Sequence, residues 1–346
     1  MSSEQATAPG PKRTPAEIAT SLLDFTDAEF MAAPHVDVHE REVRLLDTDF
    51  IGVAINAQTR IAVDAQPVLP IAIAARYGGE RDWDLPLPHN ALLVATDLLT
   101  GQVAVVPALV PAKVLASRGG VARGRGDAPR PPPEELEGAG AQLSWTEVRE
   151  RIAMPWRPGR WSFGLVYFDW LSNLVTVELL GADPAPIAAV APPAVRPLPS
   201  PLANGLPTFR RQSRTPSAPA RGVDFELEQF AQAPVRRLLM HGAFTTVART
   251  HSLVNAMTLA DGGTESPVAA IVPLTVLLVG ANADHPWRLD LGVPIYGPHA
   301  QANDMVSGCF ALDLLSGAPA PEPGTYACYV VMDGAIHGPK ALQWPG

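Results

Sequence analysis

The residues best suited to chemistry stand near the N-terminus, in His35-Val36-Asp37-Val38-His39. On an extended strand alternate side chains share a face, so His35, Asp37 and His39 would line one face and the two valines the other. Two imidazoles and a carboxylate are the beginning of a Zn²⁺ or Fe²⁺ site. The same alternation also describes a solvent-facing edge strand whose valines pack inward. No second His-x-His or His-x-x-x-Glu segment completes a ligand set, so the structural reading is preferred and no cofactor is expected.

Aromatic residues offer a second candidate. Trp145, Trp156, Trp161, Tyr167, Phe168 and Trp170 fall within 26 residues of one another. Aromatic faces stack on sugars and anchor protein interfaces. Trp161 is expected in a core. Phe168-Asp169-Trp170 falls at a predicted hairpin tip, where polar residues are usual, so Trp170, with Phe168, Asp169, Trp156 and Trp145 around it, is the expected binding surface. Asp97 and Asp313 each precede Leu-Leu-Thr/Ser-Gly. The aspartate of such a stretch caps a turn that the glycine closes, and this reading is preferred to a catalytic one. Cys309 and Cys328, in predicted strands, are expected to be buried free thiols, with a single bridge as the alternative. The other histidines are scattered, and no nucleophile elbow, phosphate-binding loop, dinucleotide fingerprint, zinc-protease motif or Cys-x-x-Cys pair is present.

The elements that would position these residues are short. The chain has 37 prolines among 346 residues, a density that breaks long helices. From residue 35 onward VDVHEREVRLL, IGVAINA, RIAVDA, VLPIAIAARY and ALLVATDLL are aliphatic-rich runs between turn residues, an all-β pattern. Before them, Thr14-Pro15-Ala16-Glu17 and Thr26-Asp27-Ala28-Glu29 fit the capping box and predict two short helices, an arm that packs on a domain or on a second copy. A glycine- and proline-rich loop covers 112–143. Ser144-Trp145-Thr146-Glu147 predicts a helix to about Ala153. FELEQFAQ at 225–232 is compatible with a helical turn, and the remaining runs to the C-terminus predict strands.

Three pairs of segments recur in the same order. LPIAIAARYGG matches VPLTVLLVGA, ALLVATDLLTG matches GCFALDLLSG, and Pro158-Gly159-Arg160-Trp161 matches Pro323-Gly324-Thr325-Tyr326. This predicts an internal duplication. Pro-Gly-x-aromatic before an alternating run resembles the penultimate strand of immunoglobulin-like and fibronectin type III-like sandwiches, where an aromatic anchors the corner between sheets. The resemblance implies a sandwich class. Trp161 has no hydroxyl for the corner hydrogen bond, and no counterpart of the antibody tryptophan and cysteine pair is recognisable. On the strand after this motif, Trp161, Phe163 and Leu165 are expected inward, as are Tyr326, Cys328 and Val330 in the second copy.

The expected organisation is an arm (1–34), a first β-sandwich (35–182) with an insertion at 112–153, a proline-rich linker (183–222) and a second β-sandwich (223–346). The net charge of −9 disfavours general nucleic-acid binding. The most apolar run, 267–281, is too short to span a bilayer as a helix, and the N-terminus lacks the apolar stretch of a signal peptide, so a cytoplasmic protein without membrane insertion is expected. The leading functional expectation is a non-enzymatic binding or self-assembly protein with a protein partner or a second copy of itself. The alternatives are an enzyme with a pocket or metal site in or between the β-domains, and a carbohydrate-binding module; a small-molecule or glycan ligand stays open.

Overall fold

The computed structural model describes residues 14–33, 35–64, 68–84, 87–109, 132, 134, 139–149, 151–152, 156–181, 219–232, 235–249, 253–261, 264–280, 286–296, 300–315 and 319–345. The predicted linker, up to residue 218, lies outside them, as does the predicted loop at 112–143 up to residue 138 apart from Pro132 and Glu134; its last residues, 139–143, are strand and not loop, because they pair with a neighbouring strand.

The two capping boxes form as the sequence predicts. Thr14 and Glu17 cap α1 (Pro15–Leu22), and Thr26 and Glu29 cap α2 (Asp27–Ala32), each pair with reciprocal backbone bonds. The segment predicted as a first strand is instead a bend followed by α3 (His39–Leu46). Alternation lasts only through Val36 and Val38; beyond them Glu40, Glu42, Val43 and Leu45 fit a helical period better. Arg41 ties the arm together: it donates to the Leu22 and Asp24 carbonyls, pairs with Glu29 at 3.1 Å, and lies 3.9 Å over the Phe25 ring.

The first sandwich comprises β1 (Gly52–Ala57), β2 (Arg60–Ala62), β3 (Pro70–Gly78), the short helices α4 (Gly79–Asp84) and α5 (Leu87–Asn90), β4 (Ala91–Asp97), β5 (Val103–Pro107), β6 (Ala139–Glu147), β7 (Gly159–Tyr167), β8 (Trp170–Leu171) and β9 (Val175–Leu180). One sheet runs β1-β3-β6 and the other β2-β9-β7-β4-β5, with β8 folded back on β7. Only the short β2–β9 contact in it is parallel. The core between them is built from Ile55, Ile71, Leu93, Trp161, Phe163 and their neighbours. The arm covers the other face of β1-β3-β6, where Leu22, Phe25, Phe30 and Leu45 pack on Ala54, Ala72, Leu143 and Trp145. The arm therefore docks on its own domain, one of the two expected alternatives.

β6 replaces the predicted helix at 144–153. Its ladder with β3 runs from Pro70↔Glu147 to Gly78↔Ala139, satisfying the backbone groups that a helix would have paired internally. Glu147 caps the strand end instead, accepting from the Leu69 and Arg149 N–H groups. Arg151, which would pair with Glu147 one turn along such a helix, donates to the Pro107 and Ala108 carbonyls. The buried Glu42 carboxylate accepts the Leu143 N–H from the arm side.

The second sandwich comprises β10 (Gly222–Gln232), β11 (Val235–Val247), β12 (Leu253–Asp261), β13 (Thr264–Gly280), β14 (Trp287–Tyr296), β15 (Met305–Asp313), β16 (Gly324–Met332) and β17 (Ala335–Trp344). β10 overturns the helical turn at 225–232, because an eleven-residue ladder to β11 takes its backbone groups. Its sheets are β10-β11-β15 and β12-β13-β16-β17, with β14 also on β13.

The recurring segments do not take equivalent places. β4 pairs with β7 in one sheet, whereas β15 pairs with β11 across the core from β16. β3 lies opposite β7, whereas β13 is the direct neighbour of β16. What does recur is the hairpin. β7 turns at Phe168-Asp169, and β16 turns at Asp333-Gly334, each tip being two residues. Both hairpins also make the same corner. The Tyr326 hydroxyl donates to the Glu322 carbonyl at 2.7 Å, and the Trp161 indole N–H donates to the Arg157 carbonyl at 3.4 Å. Both bonds span four residues, so the tryptophan expected to lack this bond makes a longer version of it.

These hairpins bring the sandwiches together. Trp161, Phe163 and Leu165 point into the first core, as expected, and Cys328 and Val330 into the second. The opposite faces of the same strands are buried too. Val94, Val166, Leu277, Val279, Tyr329 and Ile336 form an apolar seam between β4/β7 and β13/β16. Burial on both sides explains the near-continuous apolar runs of β4 and β7. Each hairpin tip is held by the other sandwich. The Tyr329 hydroxyl donates to the Phe168 carbonyl, and the Ser162 hydroxyl to the Gly334 carbonyl, both at 2.7 Å. Gly334 has φ +77°, and a Cβ there would meet Leu98 at 2.3 Å, so the tip requires glycine. No helix among the described residues is long and apolar enough to cross a membrane.

Candidate functional site

His35, Asp37 and His39 are exposed at the entry to α3, with Val36 and Val38 half-buried against the arm's core. The inward valines match the structural expectation, on a bend instead of a strand. Asp37 accepts the His39 N–H at 3.0 Å, a local cap. Among the described residues no three His, Cys, Asp or Glu side chains are grouped to hold a metal ion.

The tryptophans of the predicted binding surface go to three different places. Trp145 lies on the outer face of β6 beneath the arm, 4.5 Å from Phe25 and 5.6 Å from Phe30. Trp156 packs on Trp161 at 4.6 Å at the edge of the first core. Trp170 is half-buried, edge-on to Tyr167, with the Arg81 guanidinium 3.7 Å over its ring. Arg81 also pairs with Asp169. Phe168, with φ +49°, offers its carbonyl to Tyr329. This tip is thus occupied by contacts within the chain. Burial and the Asp169 charge push the Tyr329 hydroxyl above its ordinary pKa, which keeps it a donor.

Asp97 and Asp313 behave as turn caps. The Asp97 carboxylate accepts from the Leu99 N–H and the Thr100 hydroxyl, both at 2.8 Å, and Gly101 closes the turn at φ +71°. Asp313 accepts the Leu315 N–H at 3.2 Å. Cys328 is buried in the second core, where burial pushes its thiol well above the ordinary range. Cys309 is exposed on β15, contrary to expectation, because the other face of that strand, with Val306, Phe310 and Leu312, is the one turned to the core. Both thiols are free.

A polar hollow lies elsewhere, where the second hairpin tip meets the first sandwich. The cleft holds about 280 Å³. β7 and β9 supply Arg160, Ser162 and Thr176; β11 supplies Thr245 and Thr246, with Arg221 just before β10 and Arg249 just after β11; the β16–β17 hairpin supplies Asp333 and His337. A smaller hollow shares the Leu98–Arg249–Asp333 wall and runs toward Val272 and Val331. Asp333, a nearly buried carboxylate at φ +51°, pairs with Arg249. The Thr246 hydroxyl, in a residue only 3% exposed, has no hydrogen-bond partner, and neither has His337 Nε2. Both atoms are covered by protein, and Thr246 lies on the face of β11 that Phe244 and Ala248 turn to the second core.

His337 packs against Gly222, where a Cβ would meet its ring at 2.6 Å. Burial holds its imidazole below the ordinary value of 6.5. As pH falls through 6.5, the unfolded chain takes up a proton that the folded chain resists, so stability drops. His337→Gln is therefore expected to show a shallower loss of Tm between about pH 7 and about pH 5 than the parent protein. Parallel Tm-versus-pH curves would show that another group carries the acid sensitivity.

None of these cleft residues was singled out in the sequence. Arg160 is the variable position of Pro-Gly-x-aromatic, Arg221 ends the proline-rich segment, and His337 is one of several scattered histidines. The fold and cleft define a class: an all-β protein of two sandwiches joined face to face, with a polar hollow at the junction. No protein-family model matches the chain, and no curated protein matches its sequence.

Proposed function

We propose that the chain is a non-enzymatic binding protein whose small-molecule ligand occupies the cleft between the two sandwiches. The observation that carries this reading is a polar hollow of about 280 Å³ whose walls come from both sandwiches and carry three guanidinium groups. The two cores on either side are filled by side chains, and the apolar seam fixes the domains against one another. A ligand in the hollow therefore meets a pre-formed wall and loses little affinity to ordering it. At about 280 Å³ the cleft suits a metabolite-sized molecule instead of a polymer. Arg160, Ser162, Thr176 and Thr245 stand on strands, so their positions are set by ladder register.

A thermal-shift screen of the intact protein against small acids, sugars, nucleosides and amines tests this. A hit is expected to raise Tm by several degrees at saturating concentration and to lose its effect in Thr176→Trp, which fills the hollow from the exposed face of β9. Hits that stabilise Thr176→Trp as well as the parent protein would place binding outside the cleft. No hit from any class would remove the reading.

A further inference from the structure

The charge inside the cleft is opposite to that of the protein as a whole. Three guanidinium groups line it, those of Arg160, Arg221 and Arg249, against a single carboxylate, Asp333. The Arg249–Asp333 pair is internally balanced. Arg160 and Arg221 make no side-chain hydrogen bond or ion pair to any described residue.

The case of Arg160 is specific. Its cross-strand neighbour on β9 is Glu178, the residue placed to neutralise it. Glu178 instead pairs with Arg60 at 3.0 Å and does not line the cleft. Arg160 is left as an exposed, unpaired cation in the cleft wall. Arg221 stands immediately before Gly222, which has φ +101° and lies against His337. The neutral donors of the cleft are the Ser162, Thr176, Thr245 and Thr246 hydroxyls. Ser162 is committed to the Gly334 carbonyl, and Thr245 shares a bond with Ser307 at 2.8 Å. Thr246 Oγ1 and His337 Nε2 are unpartnered but covered by protein, so the exposed Thr176 hydroxyl is the donor open to a ligand.

Resting on the reading of the cleft as a ligand site, we infer that its ligand is a small oxyanion-bearing molecule, with Arg160 and Arg221 pairing its charged oxygens and the Thr176 hydroxyl donating to the same group. Two exposed, unpaired guanidiniums beside a neutral donor match the many acceptor oxygens of a phosphate ester or a multiply charged carboxylate. A hydroxyl-rich neutral ligand offers no charge to either cation. The surrounding protein carries a net charge of −9, so the two cations make the cleft a local positive well in an acidic surface.

The test is calorimetric titration of the full chain with inorganic phosphate, citrate and, as a neutral polar probe, glucose. Phosphate or citrate is expected to bind, and the two arms separate phosphate from carboxylate recognition. Arg160→Gln and Arg221→Gln are each expected to weaken binding about tenfold or more, while Arg44→Gln on the exposed arm leaves it unchanged. Affinity should fall with added sodium chloride in the parent protein and fall less in either variant. Thr176→Val separates a ligand role from a structural one: it removes an exposed hydroxyl, so the free protein keeps its stability while binding weakens. Equal binding by the parent and the doubly substituted Arg160→Gln/Arg221→Gln protein would overturn the inference. Binding of glucose but of neither anion, abolished in Thr176→Trp, would overturn it and leave the cleft reading standing. Binding of no probe here together with an empty thermal-shift screen would remove both.

Discussion

Asp97→Ala is expected to cost about 4 kcal/mol of stability, and Asp313→Ala about 1 kcal/mol. Both aspartates stand before Leu-Leu-Thr/Ser-Gly, and the sequence treats them as equals. Their surroundings differ. The Asp97 side chain is 2% exposed, accepts two hydrogen bonds at 2.8 Å, and pairs with Arg157 Nε at 3.2 Å. Its removal strands a largely buried guanidinium and opens the turn between β4 and β5 at once. The same Arg157 carries the carbonyl that accepts the Trp161 indole N–H, so the corner of the first sandwich loosens with it. Asp313 keeps one hydrogen bond at 3.2 Å, and Arg237 is 3.8 Å away. Urea unfolding of both variants, at unchanged m, measures the difference. Equal losses would mean that the two turns are energetically the copies that their sequences suggest.

Val94→Asp is expected to separate the two sandwiches. On β4 the side chains alternate: Leu93 and Ala95 face the first core, whereas Leu92 and Val94 face the seam. A carboxylate at 94 enters the seam without touching either core. Val94 is 1% exposed, and its surroundings are the apolar side chains of the other sandwich. Burying an unpaired charge there costs on the order of 4 kcal/mol, comparable with what holds two domains together. The parent protein is expected to unfold in one calorimetric transition and Val94→Asp in two, with each domain keeping its own core. A single transition at lower temperature would show that the seam belongs to one cooperative unit. Phosphate or citrate binding should also be lost in Val94→Asp, because Arg160 and Arg221 stand on different sandwiches.

Local chemistry was legible wherever it acts over a few residues. The capping boxes at Thr14 and Thr26, the outward Thr176 and Glu178 of β9, and the inward Trp161 and Phe163 all follow from spacing alone. Errors came where distant partners decide. Ser144-Trp145-Thr146-Glu147 carries a helix signal, but β3 offers nine paired positions to the same backbone. FELEQFAQ is pulled into a strand by β11 in the same way. In 35–45 the alternation was too short to outweigh the helical spacing after it. Trp170 was picked because a hairpin tip is usually polar; that tip is covered by Arg81 and bound through its backbone to Tyr329.

By itself, the sequence determined an all-β chain with a helical arm, two hairpins of one pattern, and turns closed by aspartate and glycine. These follow from backbone sterics, capping and period-two burial, which act between near neighbours. Only the tertiary structure decided that the hairpins stack on each other, that β4 and β15 fall in non-equivalent sheets, and that Arg160, Arg221, Thr246 and His337 share one hollow. Those residues are brought together by strand pairing and by an apolar seam between domains, and no spacing along the chain encodes a contact made across two separate folding cores.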